Sequence, residues 1–219
     1  MDFPEYTGHV GTKFNSSGEP LSYPGFSYVS MVPVSTRQHK LFKWASTQFK
    51  IFEKNVFMAL LPPHSFHMTL IDLLCDKLRK KEFWSGKIDM NLPFPGVEMK
   101  IKEMLSGLEI EQGFQMDFNG IDNETGVFCY KPHDTVTKQL IIDYRKRISD
   151  TTDVYYPNFS TYKTHTTLFY FLKHFPPDER RKYEHLKNKT EKHFLKHFGT
   201  IYIPPPKLTF FKDMHDFKI

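Results

Sequence analysis

Only two of the 219 residues are cysteines, Cys75 and Cys129. Two thiols without C-x-x-C spacing cannot build a disulfide scaffold, so both are expected to be core thiols in a reducing compartment. Long apolar runs are missing as well, and no stretch approaches the ~18 residues that a membrane helix needs. The opening MDFPEYTGHVGTK lacks the basic-then-apolar order of a secretion signal. The expectation is a cytoplasmic protein, with the nucleus as the other compartment allowed, and no membrane partner. Also absent are a Walker loop, a Gly-rich dinucleotide fingerprint and a Gly-x-Ser-x-Gly elbow, which argues against nucleoside-triphosphate motors, dehydrogenases and α/β-hydrolases.

Aromatic residues are abundant. They make up 16% of the chain, with 22 Phe, whereas hydrophobic residues in all reach 39%, so the core must lean on large side chains. Charged residues at 25% are ordinary and exclude wholesale disorder. The net charge of +5 and a pI of about 9.0 favour anionic partners such as nucleotides or RNA. A length of 219 residues suits one large domain or two packed lobes, expected as a monomer, rather than a string of independent domains.

Residues 1–25, rich in Gly, Pro, Ser and Tyr, read as an extended arm before lobes of roughly 26–110 and 111–219, with strand exchange between them allowed. In the first lobe the patterning predicts strands at 26–34, 55–61 and 65–71, the last two separated by Pro62-Pro63, and helices at 36–54, 72–84 and 95–108. In the second it predicts a hairpin of 114–118 with 126–131, a helix capped by Asp134, a strand at 160–172, a basic helix from Pro176-Pro177 to Phe198 stopped by Gly199, and strands at 200–203 and 208–212. Adjacent hairpin-like strands exceed what a βαβ wheel supplies. The fold class is therefore α+β, with antiparallel sheets and helices outside.

Two segments repeat one another: Ser65-Phe66-His67-Met68-Thr69-Leu70 and Lys163-Thr164-His165-Thr166-Thr167-Leu168, both x-x-His-x-Thr-Leu, with the histidines 98 positions apart. Residues two apart share a strand face, so His67 aligns with Thr69 and His165 with Thr167. In the first copy Phe66, Met68 and Leu70 face a core, whereas the second has Thr164 and Thr166 in the equivalent places. If the halves pack about a pseudo-twofold axis, two imidazoles and two hydroxyls meet in one cleft. Such a pair suits phosphodiester chemistry, because near neutral pH one imidazole can be neutral and take a proton while the other is protonated and gives one up. Thr69 and Thr167 would hydrogen-bond the non-bridging phosphate oxygens, and no metal is required. Lys163, two residues before His165, would favour a neutral imidazole there. This inclines the assignment to His165 as base and His67 as acid, with the reverse open. A lone strand histidine is more often structural; a duplicated motif, one copy per half, points to chemistry.

His67-Met68-Thr69-Leu70 and His165-Thr166-Thr167-Leu168 resemble the duplicated His-x-Thr/Ser-hydrophobic signature of the 2H phosphoesterase superfamily, the 2′,5′-RNA-ligase-like or cyclic-phosphodiesterase fold. The stretch from Gly11-Thr12-Lys13-Phe14 to Tyr23-Pro24-Gly25, with Leu61-Pro62-Pro63-His64-Ser65-Phe66-His67-Met68-Thr69, resembles one branch of it. The resemblance implies two lobes with facing antiparallel sheets around a central cleft, no metal or other cofactor, and the two histidines as acid and base. It also implies substrates among RNA ends with 2′,3′-cyclic phosphate, 2′–5′-linked oligoadenylates, 3′ tails of small RNAs and cyclic dinucleotides.

Other signals are weaker. The basic helix reads first as a solvated amphipathic helix and second as an RNA track. His193 and His197 stand at i, i+4 but lack the glutamate of a zinc-protease helix and any nearby cysteine, so they are expected as surface histidines. Phe169, two residues beyond Thr167, is the first candidate for stacking on a base, and Tyr162 is expected on the opposite face unless the strand bends. The combined expectation is a metal-independent phosphodiesterase cleaving a ribose 2′ or 3′ phosphoester in small 2′–5′-linked or cyclic (di)nucleotides or RNA ends. The rival within the class is an RNA-end-processing 2′,3′-cyclic phosphodiesterase or 3′ exoribonuclease; outside it stand a non-catalytic RNA- or nucleotide-binding module and a structural role for the histidines.

Overall fold

In the computed structural model, which describes residues 5–218, the strand β1 (Gly25–Met31) is buried along nearly all its length, as an inner strand must be. It pairs antiparallel with β3 (His67–Cys75) on one side and with β9 (Lys207–Asp213) on the other, and β10 (Asp216–Lys218) adds beyond β9. A second four-stranded antiparallel sheet runs β6 (His165–Thr166), β5 (Phe128–Pro132), β4 (Phe114–Ile121), β8 (Thr200–Ile203). A two-stranded ribbon of β2 (Met58–Leu60) and β7 (Phe169–Phe171) links the halves. The architecture is α+β with antiparallel sheets. β3 and β6, which carry the repeated motifs, are the edge strands of their sheets and lie against each other.

Helices cover the sheets where their apolar stripes dictate. α1 (Arg37–Gln48) begins at Thr36, whose hydroxyl accepts from the His39 amide at 3.2 Å, and buries Phe42 and Ala45. The Phe42 ring meets Phe66 from beside β3, Phe128 of β5 and Phe194, at centroid distances of 6.1, 5.8 and 5.5 Å, tying both sheets to one aromatic core. The short α2 (Lys50–Lys54) follows, and α3 (Phe94–Leu105) buries Val97, Ile101 and Leu105 at helical spacing. α4 (Thr135–Thr152) is capped as expected, with the Asp134 carboxylate accepting from the Thr137 amide at 2.7 Å. α5 (Pro177–His197) ends before Gly199, whose φ of +66° suits a left-handed helix stop.

Several expectations need correction. The helix expected at 72–84 does not form: β3 continues to Cys75, and only two short 3₁₀ turns follow, Asp76–Leu78 and Lys81–Phe83. Leu73 and Leu74 are fully buried against the sheet, and an apolar run of that length fits either element. The strand expected at 160–172 is broken into β6 and β7, because β6 pairs with β5 whereas β7 turns away to pair with β2. The single helix expected at 36–54 is interrupted at Phe49, which ends α1 and precedes α2, and β10 is a strand that the patterning does not predict. Gly126 shows how tightly the broken segment packs, since a Cβ there would lie 2.5 Å from the Phe169 ring, and its φ of +72° disfavours any side chain.

Candidate active site

His67 stands at the start of β3, and its direction is set by the turn before it. The 3₁₀ turn Pro63–Ser65 follows Pro62, whose carbonyl accepts from the Ser65 amide at 2.9 Å and hydroxyl at 2.8 Å. His39 of α1 meets the Pro63 carbonyl at 2.9 Å through its Nε2. The Ser65 carbonyl fixed in this way accepts from His67 Nδ1 at 2.6 Å. The second motif repeats the device, with His165 Nδ1 donating to the Lys163 carbonyl at 2.8 Å. A carbonyl can only accept, so in both rings Nδ1 carries the hydrogen and Nε2 is the atom left for chemistry.

Both rings line one cavity of about 220 Å³, together with Thr69 and Thr167. All four expected site residues are thus brought together, and His67 lies within reach of the electrostatic field of His165. Burial pushes the His67 pKa down to about 4; proximity to His165 acts in the same direction, while the Ser65 carbonyl and the Asp72 carboxylate pull it up. The Phe217 ring of β10 covers the imidazole at 4.2 Å, and Tyr162 flanks His165 at 5.8 Å. Tyr162 and Thr69 line the same wall, so a residue just before the second motif stands beside the first.

A bulge in β3 shapes the same face. Thr69 pairs with Val29 and Ile71 with Tyr28, leaving Leu70 as an extra residue. Alternation restarts beyond it, so Asp72 rather than Ile71 joins His67 and Thr69 in the cavity, where Ser27 donates to its carboxylate at 3.0 Å. A strict two-residue period hides this. The arm, too, contributes more than its composition suggested. Lys13 lines the cavity with its ammonium 5.5 Å from the Tyr23 ring and 4.7 Å from the Tyr170 ring. Both rings belong to the wall, and Lys13 is the cation there that the motif search missed.

The polar core positions of the second motif are also explained: Thr166 is fully buried, and its hydroxyl is satisfied by the Tyr130 hydroxyl at 2.6 Å. Lys163 contributes its carbonyl to His165, whereas its side chain lines a different cavity, so the electrostatic reason for choosing His165 as base falls away. Phe169 is only 1% exposed and packs against Phe49 and Phe171, so it cannot stack on a base. Tyr162 does face the cleft, because the strand expected around it is an irregular loop. His193 stacks on Trp44 at 4.2 Å, and among the described residues no three His, Cys, Asp or Glu side chains converge as metal donors. In α5, Arg180, Arg181 and Lys182 pair with Glu184, Asp178 and Glu179 on the helix surface.

No helix among the described residues is long and apolar enough to cross a membrane. In comparison with known proteins, the fold is similar to that of a crystallised conserved protein of unknown function from Agrobacterium tumefaciens str. C58, with a TM-score of 0.88 at 22% identity over 99% of this chain and 92% of that one. No protein of curated function matches the chain. A family model named 2H-phosphodiest, described as a domain of unknown function (DUF1868), matches residues 13–127, a span that holds Lys13, His67, Thr69 and Asp72 and stops before His165. With more than half of its length inside that model, this chain belongs to the 2H-phosphodiesterase family and so to a phosphodiesterase-type superfamily.

Proposed function

We propose that the protein is a phosphodiesterase that cleaves a ribose 2′ or 3′ phosphoester in small 2′–5′-linked or cyclic (di)nucleotides or in RNA ends, by proton transfer between His67 and His165. The observation that carries this reading is the twinned ring geometry. Each imidazole is pinned through Nδ1 to the carbonyl two residues earlier, and both rings line one cavity with a threonine two residues further on. A ring held only to fill a core has no need of this repeated orientation around shared space.

His67, kept neutral by its burial, is the base. Its Nε2 takes the proton of an attacking ribose hydroxyl or water, and protonated His165 delivers a proton to the departing oxygen. Thr69 and Thr167 hydrogen-bond the non-bridging oxygens, and the Lys13 ammonium offsets the charge that develops on them. Each proton-transfer role is worth roughly 10²–10⁴-fold in rate. The cavity of about 220 Å³ is the size of about seven waters at ~30 Å³ each. That accommodates a phosphate with part of a ribose, so the rest of the substrate lies outside it.

The test is incubation of the protein and its His67→Ala/His165→Ala variant with cyclic mononucleotides, cyclic dinucleotides, 2′–5′ oligoadenylates and RNA ending in cyclic phosphate, read by mass spectrometry. At least one substrate should be cleaved by the native protein and by none of the variant preparations. Cleavage that survives the double substitution removes the histidines from the mechanism, and equal inertness of both proteins leaves the binding-module reading in its place.

A further inference from the structure

A second, larger cavity of about 680 Å³ lies on the other side of Tyr162, between the β4–β5 turn, α4, α5 and the loop leading to β6. Its charge is one-sided. Arg145, Lys187, Lys131, Lys138 and Lys163 line it, against the carboxylates of Asp122 and Glu191. Five cations thus face two carboxylates that already accept local hydrogen bonds: Asp122 accepts from the Thr125 amide and hydroxyl, each at 2.8 Å, and Glu191 from the Ile121 amide at 3.4 Å.

Two of the cations are buried. Arg145 is 8% exposed and Lys187 7%. The Arg145 guanidinium sits 4.8 Å from the Phe159 ring and 4.9 Å from the Tyr162 ring, and its buried Nε has no hydrogen-bond partner. The carboxylate whose field reaches it, Asp72, belongs to the histidine cleft. Lys187 binds the neutral side-chain oxygen of Asn123. Neither cation forms an ion pair among the described residues, although buried charge is costly without an opposite one. A guanidinium held against two rings loses little freedom on binding and suits the planar, two-point recognition of phosphate. Ile142, 43% exposed on the wall beside Ile121, offers an apolar surface next to the cations.

We propose that this cavity binds a phosphate-bearing nucleotide, with its phosphates on Arg145 and the surrounding lysines and its base against the isoleucine wall. The same chemistry is presented by a free nucleotide and by the next nucleotide of an oligonucleotide whose scissile phosphate lies between the histidines; only the latter source rests on the function proposed above. Titration calorimetry with ADP, pyrophosphate and adenosine as probes decides the matter without turnover, so its failure is separate from failure of the cleavage reading. ADP should bind the native protein and the His67→Ala/His165→Ala variant alike, pyrophosphate should bind more weakly, and adenosine should not bind. The surface variant Lys131→Ala/Lys138→Ala/Lys163→Ala should weaken ADP by roughly tenfold or more, as loss of charge-assisted contacts implies, and Arg145→Met should abolish binding. If Arg145→Met does not fold, the surface variant alone decides. Absence of ADP binding at millimolar concentration, loss of binding with the histidine pair, or undiminished binding to the lysine variant would each overturn the proposal. Where a cleaved substrate is in hand, competitive inhibition by ADP identifies the cavity as the seat of the flanking nucleotide, and non-competitive inhibition identifies a separate ligand.

Discussion

Lowering the pH should protonate His67 far later than an ordinary histidine. Burial holds its pKa at about 4, against 6.5 for a free imidazole. At pH 5.5 an unperturbed ring would be about 9% neutral, whereas one titrating at 4 is about 97% neutral, a roughly tenfold difference in the population able to accept a proton. The acid limb of kcat/KM, which reports the free enzyme, should therefore lie well below pH 6. The His67 Cε1 proton, followed by NMR and assigned with His67→Gln, should titrate at the same place with no substrate present. Phe217 covers the ring at 4.2 Å, so Phe217→Ala should admit water and move both midpoints upward. The sign for stability follows. Between pH 4 and 6.5 the folded state binds fewer protons at this site than the unfolded state, so stability contributed here is complete above about 6.5 and falls as the pH drops through that window. A native midpoint near 6.5 that Phe217→Ala leaves unmoved would refute both the burial argument and the choice of His67 as base.

Other perturbations separate the parts of the site. Thr69→Val and Thr167→Val should each lower kcat roughly 10-fold or more while leaving the melting temperature nearly unchanged, on the scale known for donors to developing negative charge; unaltered turnover would take the hydroxyls out of the mechanism. Lys13→Met, which keeps the stem packed against Tyr23 and Tyr170 but removes the charge, should raise KM by about tenfold, and an unchanged KM would mean the ammonium does not meet the phosphate. Prolonged EDTA treatment should leave the rate as it was, since the proposed steps are proton transfers; loss restored by Zn²⁺ or Mg²⁺ would contradict them. Asp134→Ala should lower the midpoint of a denaturant titration through loss of the α4 cap, with activity of the folded fraction retained.

The parts of this site that could be read in advance were those with local spacing. His67, Thr69, His165 and Thr167 announce themselves because strand alternation and duplication are visible in a string of letters, and they line one cavity. Asp134 and Gly199 were legible for the same reason, since capping is decided within one helical turn. What escaped depends on contacts far apart in the chain. Asp72 enters the cleft only because Leu70 is bulged against β1, and Lys13 only because the arm folds over Tyr170. The 160–172 segment has unbroken β-propensity, yet β5 and β2 compete for its two ends and split it. Lys163 and Ser65 were paired correctly as counterparts, but what they share is a backbone carbonyl rather than a side chain.

The exchange of strands between the halves has a further consequence for how the protein is made. β1 and β3 are made well before their remaining partners: the strand that flanks β1 on its other side, β9, and the β10 ring that roofs His67 come more than 130 residues after the first motif. A nascent chain that already carries both histidines therefore still has β1 open to water along one side and the His67 ring uncovered. Clipping of residues 207–218 from the finished molecule would return it to that condition, with β1 unpaired on one side and His67 without its aromatic cover.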